Sequence, residues 1–191
     1  AKISNAMAGS GEGVAGEYEG ERNAAGEREG RGTYRYANGD VYEGEWKADL
    51  YEGRGKFTYA NGNTYDGEWK AGQQEGRGKE TFASGDVYEG EWNKAGEKEG
   101  RGTYRYADGA VYEGEFKAGK YEGRGTYRYA DGAIEVGFYQ AGADAGEGVK
   151  WSADRRAAWR LFDGQPVAAI SLEEARRAVE GWGLPLPEGV E

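Results

Sequence analysis

Tyr42-Glu43-Gly44-Glu45-Trp46 and, a few residues on, Gly53-Arg54-Gly55-Lys56-Phe57-Thr58-Tyr59 both alternate with a period of two. In the first segment Tyr, Gly and Trp share one face and both Glu share the other. In the second, the two glycines and two rings face away from Arg54, Lys56 and Thr58. That alternation predicts two β-strands with one aromatic and one charged face, joined as a hairpin. Setting Tyr42 opposite Tyr59 places Gly44 against Phe57 and Trp46 against Gly55. Each of the latter rings then fills the slot left by a glycine across the strand pair.

The same segment recurs along the chain. Its leading residue stands at Tyr18, Tyr42, Tyr65, Tyr88, Tyr112 and, degenerately, Glu135, at steps of 24, 23, 23, 24 and 23 residues. The two longer units carry their extra residue in the loop inside the hairpin, where a repeated supersecondary unit tolerates it. Asn38-Gly39, Asn61-Gly62, Ser84-Gly85, Asp108-Gly109 and Asp131-Gly132 separate successive units and have turn chemistry. The expected fold is all-β: an elongated antiparallel sheet of repeated hairpins with a short C-terminal capping helix. Residues 1–16 form a flexible N-terminal segment, in which Ser4-Asn5-Ala6-Met7 reads as a tag scar or a processed terminus. Residues 17–150 form an array of about six hairpins, and 151–191 a C-terminal cap or docking segment. In that segment Ala158–Phe162 and Val167–Ile170 read as a last hairpin. Ser171-Leu-Glu-Glu174 reads as a capping box opening a helix through about Glu180, with Leu172, Ala175, Val179 and Trp182 on one face. Its expected role is to cover the exposed end strand.

Composition narrows the function. Of 191 residues, 36 are Gly and 26 are Tyr, Trp or Phe, while Leu, Ile, Val and Phe number only 22. An aliphatic α/β core cannot be built from this inventory. With neither Cys nor His, thiolate catalysis, Ser-His-Asp triads and Cys- or His-based metal sites are excluded. The net charge of −10 opposes nucleic acid and disfavours anionic membranes. Glu pairs such as Glu43/Glu45 recur in every unit, so they express the period and not a glycosidase site; opposite Arg and Lys they read as cross-strand charge ladders. No catalytic residue, cofactor or metal is expected.

The repeated Tyr65-Asp-Gly67-Glu-Trp69-Lys-Ala-Gly72, followed by Gly76-Arg-Gly78, resembles the MORN repeat over about residues 16–151. The resemblance implies a rod-like hairpin array acting mainly as a scaffold that dimerises or holds partner segments in an aromatic groove. Phosphoinositide binding is also proposed for some members. Arg22 and Phe116 replace the Trp of the first and fifth units, and Glu135 the Tyr of the sixth; terminal repeats are often atypical.

The leading expectation is a non-catalytic interaction scaffold or structural subunit. Its groove would have Trp46, Trp69 and Trp92 at one rim and Tyr36, Tyr59, Phe82, Tyr106 and Tyr129 toward the other. The counter-reading is that these rings only hold the hairpins together. Glu80 stands in phase with Tyr34, Phe57, Tyr104 and Tyr127; it is a Glu at a solvated groove, a residue turned outward by a bulge, or a partner contact. Trp159, Trp182 and Leu184 form a candidate docking tail. Expected partners are a helix or extended segment of another protein, or a second copy packed antiparallel. The alternatives are a phosphoinositide- or membrane-associated adaptor and a stoichiometric subunit of an organellar or cytoskeletal complex. Cytoplasmic or cytoskeletal placement is expected, with an organelle as the alternative.

Overall fold

The computed structural model describes residues 16–190; the N-terminal segment set apart above falls, but for Gly16, outside the described residues. Fourteen strands among the described residues follow one another in chain order as antiparallel neighbours in a sheet, and one helix ends the chain. The chain divides into two compact units, one of residues 16–85 and 91–96, the other of 86–90 and 97–190.

The first unit holds β1 (Glu17–Arg22), β2 (Arg28–Arg35), β3 (Val41–Lys47), β4 (Leu50–Thr58), β5 (Thr64–Lys70) and β6 (Gln73–Thr81), with the end of β7 (Val87–Trp92). Its hairpins have the expected partners in a different register. Tyr42 stands opposite Phe57, Gly44 opposite Gly55 and Trp46 opposite Tyr51, so Tyr59 lies past the end of β4. Two local features set this. Ala48 and Asp49 (φ 46° and 65°) form a two-residue turn that pins Lys47 to Leu50, the left-handed geometry that matches strand twist. A bulge then inserts Gly53 and Arg54, with Gly53 at φ 61°. Glu45 holds the bulge, its carboxylate accepting the Arg54 N–H at 3.0 Å.

Glycine is rescued by Tyr along its own strand, not by a ring directly across. The Tyr42 ring reaches over the Gly44–Gly55 pair, and its hydroxyl donates to the Glu45 carbonyl at 2.9 Å. Tyr65 repeats the bond to Glu68 at 3.0 Å. Trp46 and Trp69 find their glycine on the preceding hairpin, opposite Gly30 and Gly53. Their Nε1 groups donate to Gly32 (3.0 Å) and Gly55 (2.9 Å) carbonyls, tying hairpin to hairpin. The charged face is more than a ladder. Glu43 does stand opposite Lys56 and Arg54 opposite Glu68, but Glu29 and Glu52 accept the turn N–H groups of Ala48 and Ala71, at 3.1 and 3.0 Å. The repeated acid thus satisfies a donor that a left-handed turn would otherwise leave to water.

The second unit holds the start of β7, then β8 (Lys98–Arg105), β9 (Val111–Lys117), β10 (Lys120–Arg128), β11 (Ile134–Gln140), β12 (Ala143–Trp151), β13 (Ala158–Phe162), β14 (Gln165–Ile170) and α1 (Leu172–Gly181). Ser171 and Glu174 form the expected capping box. In β11 and β12 the face that is charged elsewhere becomes aliphatic. Ile134, Val136, Val149 and Trp151 are buried there with Ala158 under Ala175, Val179 and Val190. The helix therefore packs on the face of β12 and β13, and not over the end strand, which the sequence reading had expected it to cover. The side chains of β14 stay exposed up to Ile170. Burial of apolar area decides the docking: the edge offers backbone groups, whereas this face offers four large apolar side chains.

Candidate functional site

The groove residues separate into two classes. Trp46, Trp69 and Trp92 are 3–6% exposed. Each is built into the sheet, Trp69 making edge-on contacts with Tyr42, Tyr51 and Tyr65 at centroid distances of 5.0–5.4 Å. These rings join hairpin to hairpin, Trp46 and Trp69 through their Nε1 bonds to the preceding one. Tyr36, Tyr59 and Phe82 stand just past the ends of β2, β4 and β6 and are half-buried. Tyr36 shares a short hydroxyl–hydroxyl bond with Tyr51 and packs on Tyr34 at 4.5 Å. The Tyr59 hydroxyl accepts from Gln74 Nε2 at 3.4 Å; burial, then the charge of Glu80, push its ionisation up to about 12. Glu80 is opposite Tyr65, on the aromatic face and half-buried, so no bulge turns it outward.

In the second unit Tyr106 and Tyr129 occupy the same kind of position. Tyr106 meets the Tyr121 hydroxyl, and Tyr129 donates to Glu135 Oε2 at 2.6 Å. Glu135 is 4% exposed, the most deeply buried acid described. Burial, with nearby Asp144, pushes its carboxyl up to about 7 against the opposing pull of the Tyr129 hydrogen bond and Lys150. The proposed docking tail does not form one patch. Trp159 is opposite Lys150 on the aromatic side, whereas Trp182 packs edge-on against Phe138 at 5.6 Å and, with Leu184, against the aliphatic cluster on the other face.

One row of residues escaped the sequence reading. Arg28, Tyr51, Gln74, Lys98, Tyr121 and Asp144 take the same place in their units. Five of them stand on the aromatic face: Tyr51 opposite Trp46, Gln74 opposite Trp69, Tyr121 opposite Phe116, Asp144 opposite Tyr139, and Arg28 opposite Arg22. Superposing the units would have exposed it as a variable position just ahead of the Glu-Gly that recurs in the first five units.

The Glu135 carboxyl makes stability pH-dependent. A folded-state value near 7 against about 4.5 unfolded means that the folded unit keeps the proton longer. Its contribution is complete below about pH 4.5 and is lost as pH rises through 7, on the order of 1–3 kcal/mol. Thermal unfolding of the second unit, followed through its Trp signals, should show a midpoint that falls across this window. Glu135→Gln should flatten the profile; an unchanged slope would assign it to another group.

Residues held in this way, with a Tyr–Gly–Trp strand in the second to fourth units and a Gly-x-Gly return strand in every unit, define a β-hairpin repeat protein. The MORN repeat pattern matches residues 24–41, 42–64, 65–87, 88–111 and 112–134, and the chain belongs to the MORN repeat family. It is 60% identical over 37 residues to the mouse Radial spoke head 1 homolog, a stretch covering 19% of this chain and 12% of that protein. Among solved structures it is similar to the Drosophila melanogaster SAS-4 (dCPAP) TCP domain in complex with a proline-rich motif of Ana2 (TM-score 0.48, 12% identity, 81% of this chain and 89% of that one). It is also similar to the Danio rerio CPAP TCP10 domain with a peptide of STIL (TM-score 0.42, 11% identity, 77% and 70%). Likeness at that level carries no conclusion about this chain. Among the described residues no cluster of three or more acidic side chains gathers to hold a metal, and no helix is long and apolar enough to cross a membrane.

Proposed function

We propose that the chain is a non-catalytic scaffold that holds a segment of another protein along the half-buried rings of its aromatic face. The observation that carries this reading is the split between buried Trp46 and Trp69 and half-buried Tyr36, Tyr59 and Phe82 on one face. The first set stabilises the sheet. In the second, Tyr36 and Tyr59 are tied to that layer through Tyr51 and Gln74, and the exposed edges of the set offer rigid rings, which bury large area at small entropic cost. The charged face, its acids engaged with turn and bulge N–H groups, suits water better than an apolar segment.

The test is affinity capture by the full chain beside a Tyr59→Ser, Phe82→Ser variant that retains its unfolding midpoint. Loss of the captured segment by about tenfold or more supports the reading; equal capture by the folded variant overturns it. Trp159→Ser asks the same of the tail. Cutting the chain after Gly148 would be uninformative, because it strips the cover from Ile134 and Val136. The short match to a radial spoke head relative favours a second reading, a structural subunit of a larger assembly. In that case the captured proteins come in fixed stoichiometry. Antiparallel self-association would appear as a concentration-dependent doubling of mass. A lipid adaptor would show salt-sensitive flotation with phosphoinositide vesicles.

A further inference from the structure

The first and last hairpins treat charge on the aromatic face in opposite ways. At position 28 the first supplies a cation. The Arg28 guanidinium lies over Tyr34 and Trp46, 5.0 and 4.3 Å from their centroids, and its Nε is 2.8 Å from Asp49 Oδ1. At the equivalent place in the sixth hairpin stands Asp144, exposed, and beside it is buried Glu135 where other units have Tyr. Lys150, directly across from Glu135, puts its ammonium over the Tyr129 ring at 3.8 Å. Tyr139 is 7% exposed and stands opposite Asp144; its buried hydroxyl has no hydrogen-bond partner. Tyr139 shares its face with Glu135, four residues along β11, and burial followed by the charges of Glu135 and Asp144 holds its hydroxyl un-ionised.

The glycine pair is less tightly closed here. A Cβ built on Gly137 would come no closer than 3.3 Å to its neighbours, whereas on Gly67 of the third unit the same atom would lie 2.5 Å from Gly78 Cα, and beside Gly148 the nearest side chain is Leu161 in place of a tyrosine ring. Two neighbouring carboxyls, a hydroxyl that accepts but has no donor, and an aromatic wall are complementary to an ammonium or guanidinium. Arg28 shows the same face already holding such a group.

We infer that Glu135, Asp144 and Tyr139 form a subsite for the cationic side chain, Lys or Arg, of a protein segment lying on the aromatic face. The inference rests on the docking reading above and names the chemistry of the segment. Asp144 receives the charge at the surface, Tyr139 accepts one N–H, and Glu135 gives up its proton to solvent as the cation enters. Binding is therefore linked to pH. The other groups facing the subsite are Tyr127 opposite Glu135 on β10, Tyr129 beyond the end of β10, Tyr112 and Tyr121 against the Tyr139 ring, and Lys150 on β12. The phenols stay neutral in this range, and Lys150 is the internal competitor.

The test uses the full chain and N-acetyl-arginine amide as probe, followed by amide NMR. Saturable shifts confined to residues 135–139 and 144–150 are expected at about pH 8, weakened about tenfold at about pH 5. Asp144→Asn should weaken binding about tenfold, and Tyr139→Phe, which deletes a hydroxyl that has no partner to lose, about threefold. N-acetyl-glutamine amide should not bind. Absence of saturable shifts, or Asp144→Asn binding like the parent, overturns the subsite. Failure of the docking reading looks different: the amide still binds, while capture is indifferent to Tyr59 and Phe82.

Discussion

Trp69→Ala is expected to destabilise the first unit by about 3–5 kcal/mol. The substitution removes a ring that is 6% exposed, opens the space between Tyr42, Tyr51 and Tyr65, and orphans the Gly55 carbonyl that Nε1 engages. The last of these costs adds to the cavity, because a buried acceptor loses its donor without regaining water. Denaturant unfolding measures the effect. A loss below about 1 kcal/mol would mean that the ring is peripheral, and would return Trp69 to the list of binding residues. Tyr59→Ser should cost far less, since its ring is half-buried beyond a strand end. The contrast between the two is the sharpest separation of sheet core from docking surface.

Gly44→Ala should be at least as damaging, although it adds only a methyl group. Its Cβ would lie 2.5 Å from Gly55 Cα and 2.6 Å from the Tyr42 hydroxyl. The hydroxyl could swing away only by releasing the Glu45 carbonyl, and the backbone of β4 cannot move without opening the ladder. Overpacking of side chains typically costs about 1–3 kcal/mol, and a backbone clash exceeds that range. The expected result is loss of the β3–β4 pairing, read as loss of amide protection at Gly44, Gly55 and Phe57. Gly109→Ala, where a Cβ would meet nothing within 4 Å, controls for glycine content and carries only the strain of a φ near 95°. Equal protection in Gly44→Ala and the parent would refute the Tyr-over-Gly account of the repeat.

Much of this architecture is written in the alternation of residues. The period of two assigns each side chain to a face, so the aromatic and charged sides, the hairpins and the capping box at Ser171 were legible. The turns between units were legible as well, with Asn38, Asn61, Asp108 and Asp131 each accepting a backbone N–H two residues on. Register was not. Moving Tyr42 from Tyr59 to Phe57 shifts the pairing by two residues, and a shift of two returns every side chain to the same face. Periodicity cannot distinguish these alternatives. What distinguishes them is a left-handed turn at Ala48-Asp49 and a bulge at Gly53-Arg54, whose stabilisation comes from Asp49 bonding Arg28 of the preceding hairpin and Glu45 bonding the bulge.

The side of the sheet covered by α1 was half visible. Ile134, Val136, Val149 and Trp151 alternate out of phase with Glu135, which marks a change of face, but only the folded unit shows the helix lying on it. The candidate subsite divides in the same way. That Glu135 stands in place of a Tyr follows from the repeat. Its burial, the proximity of Asp144 and the diversion of Lys150 onto the Tyr129 ring arise from three segments meeting. Local alternation determines which way a side chain points, because that is a property of one strand. Register, burial and charge balance depend on partners far along the chain, and tertiary structure decides them.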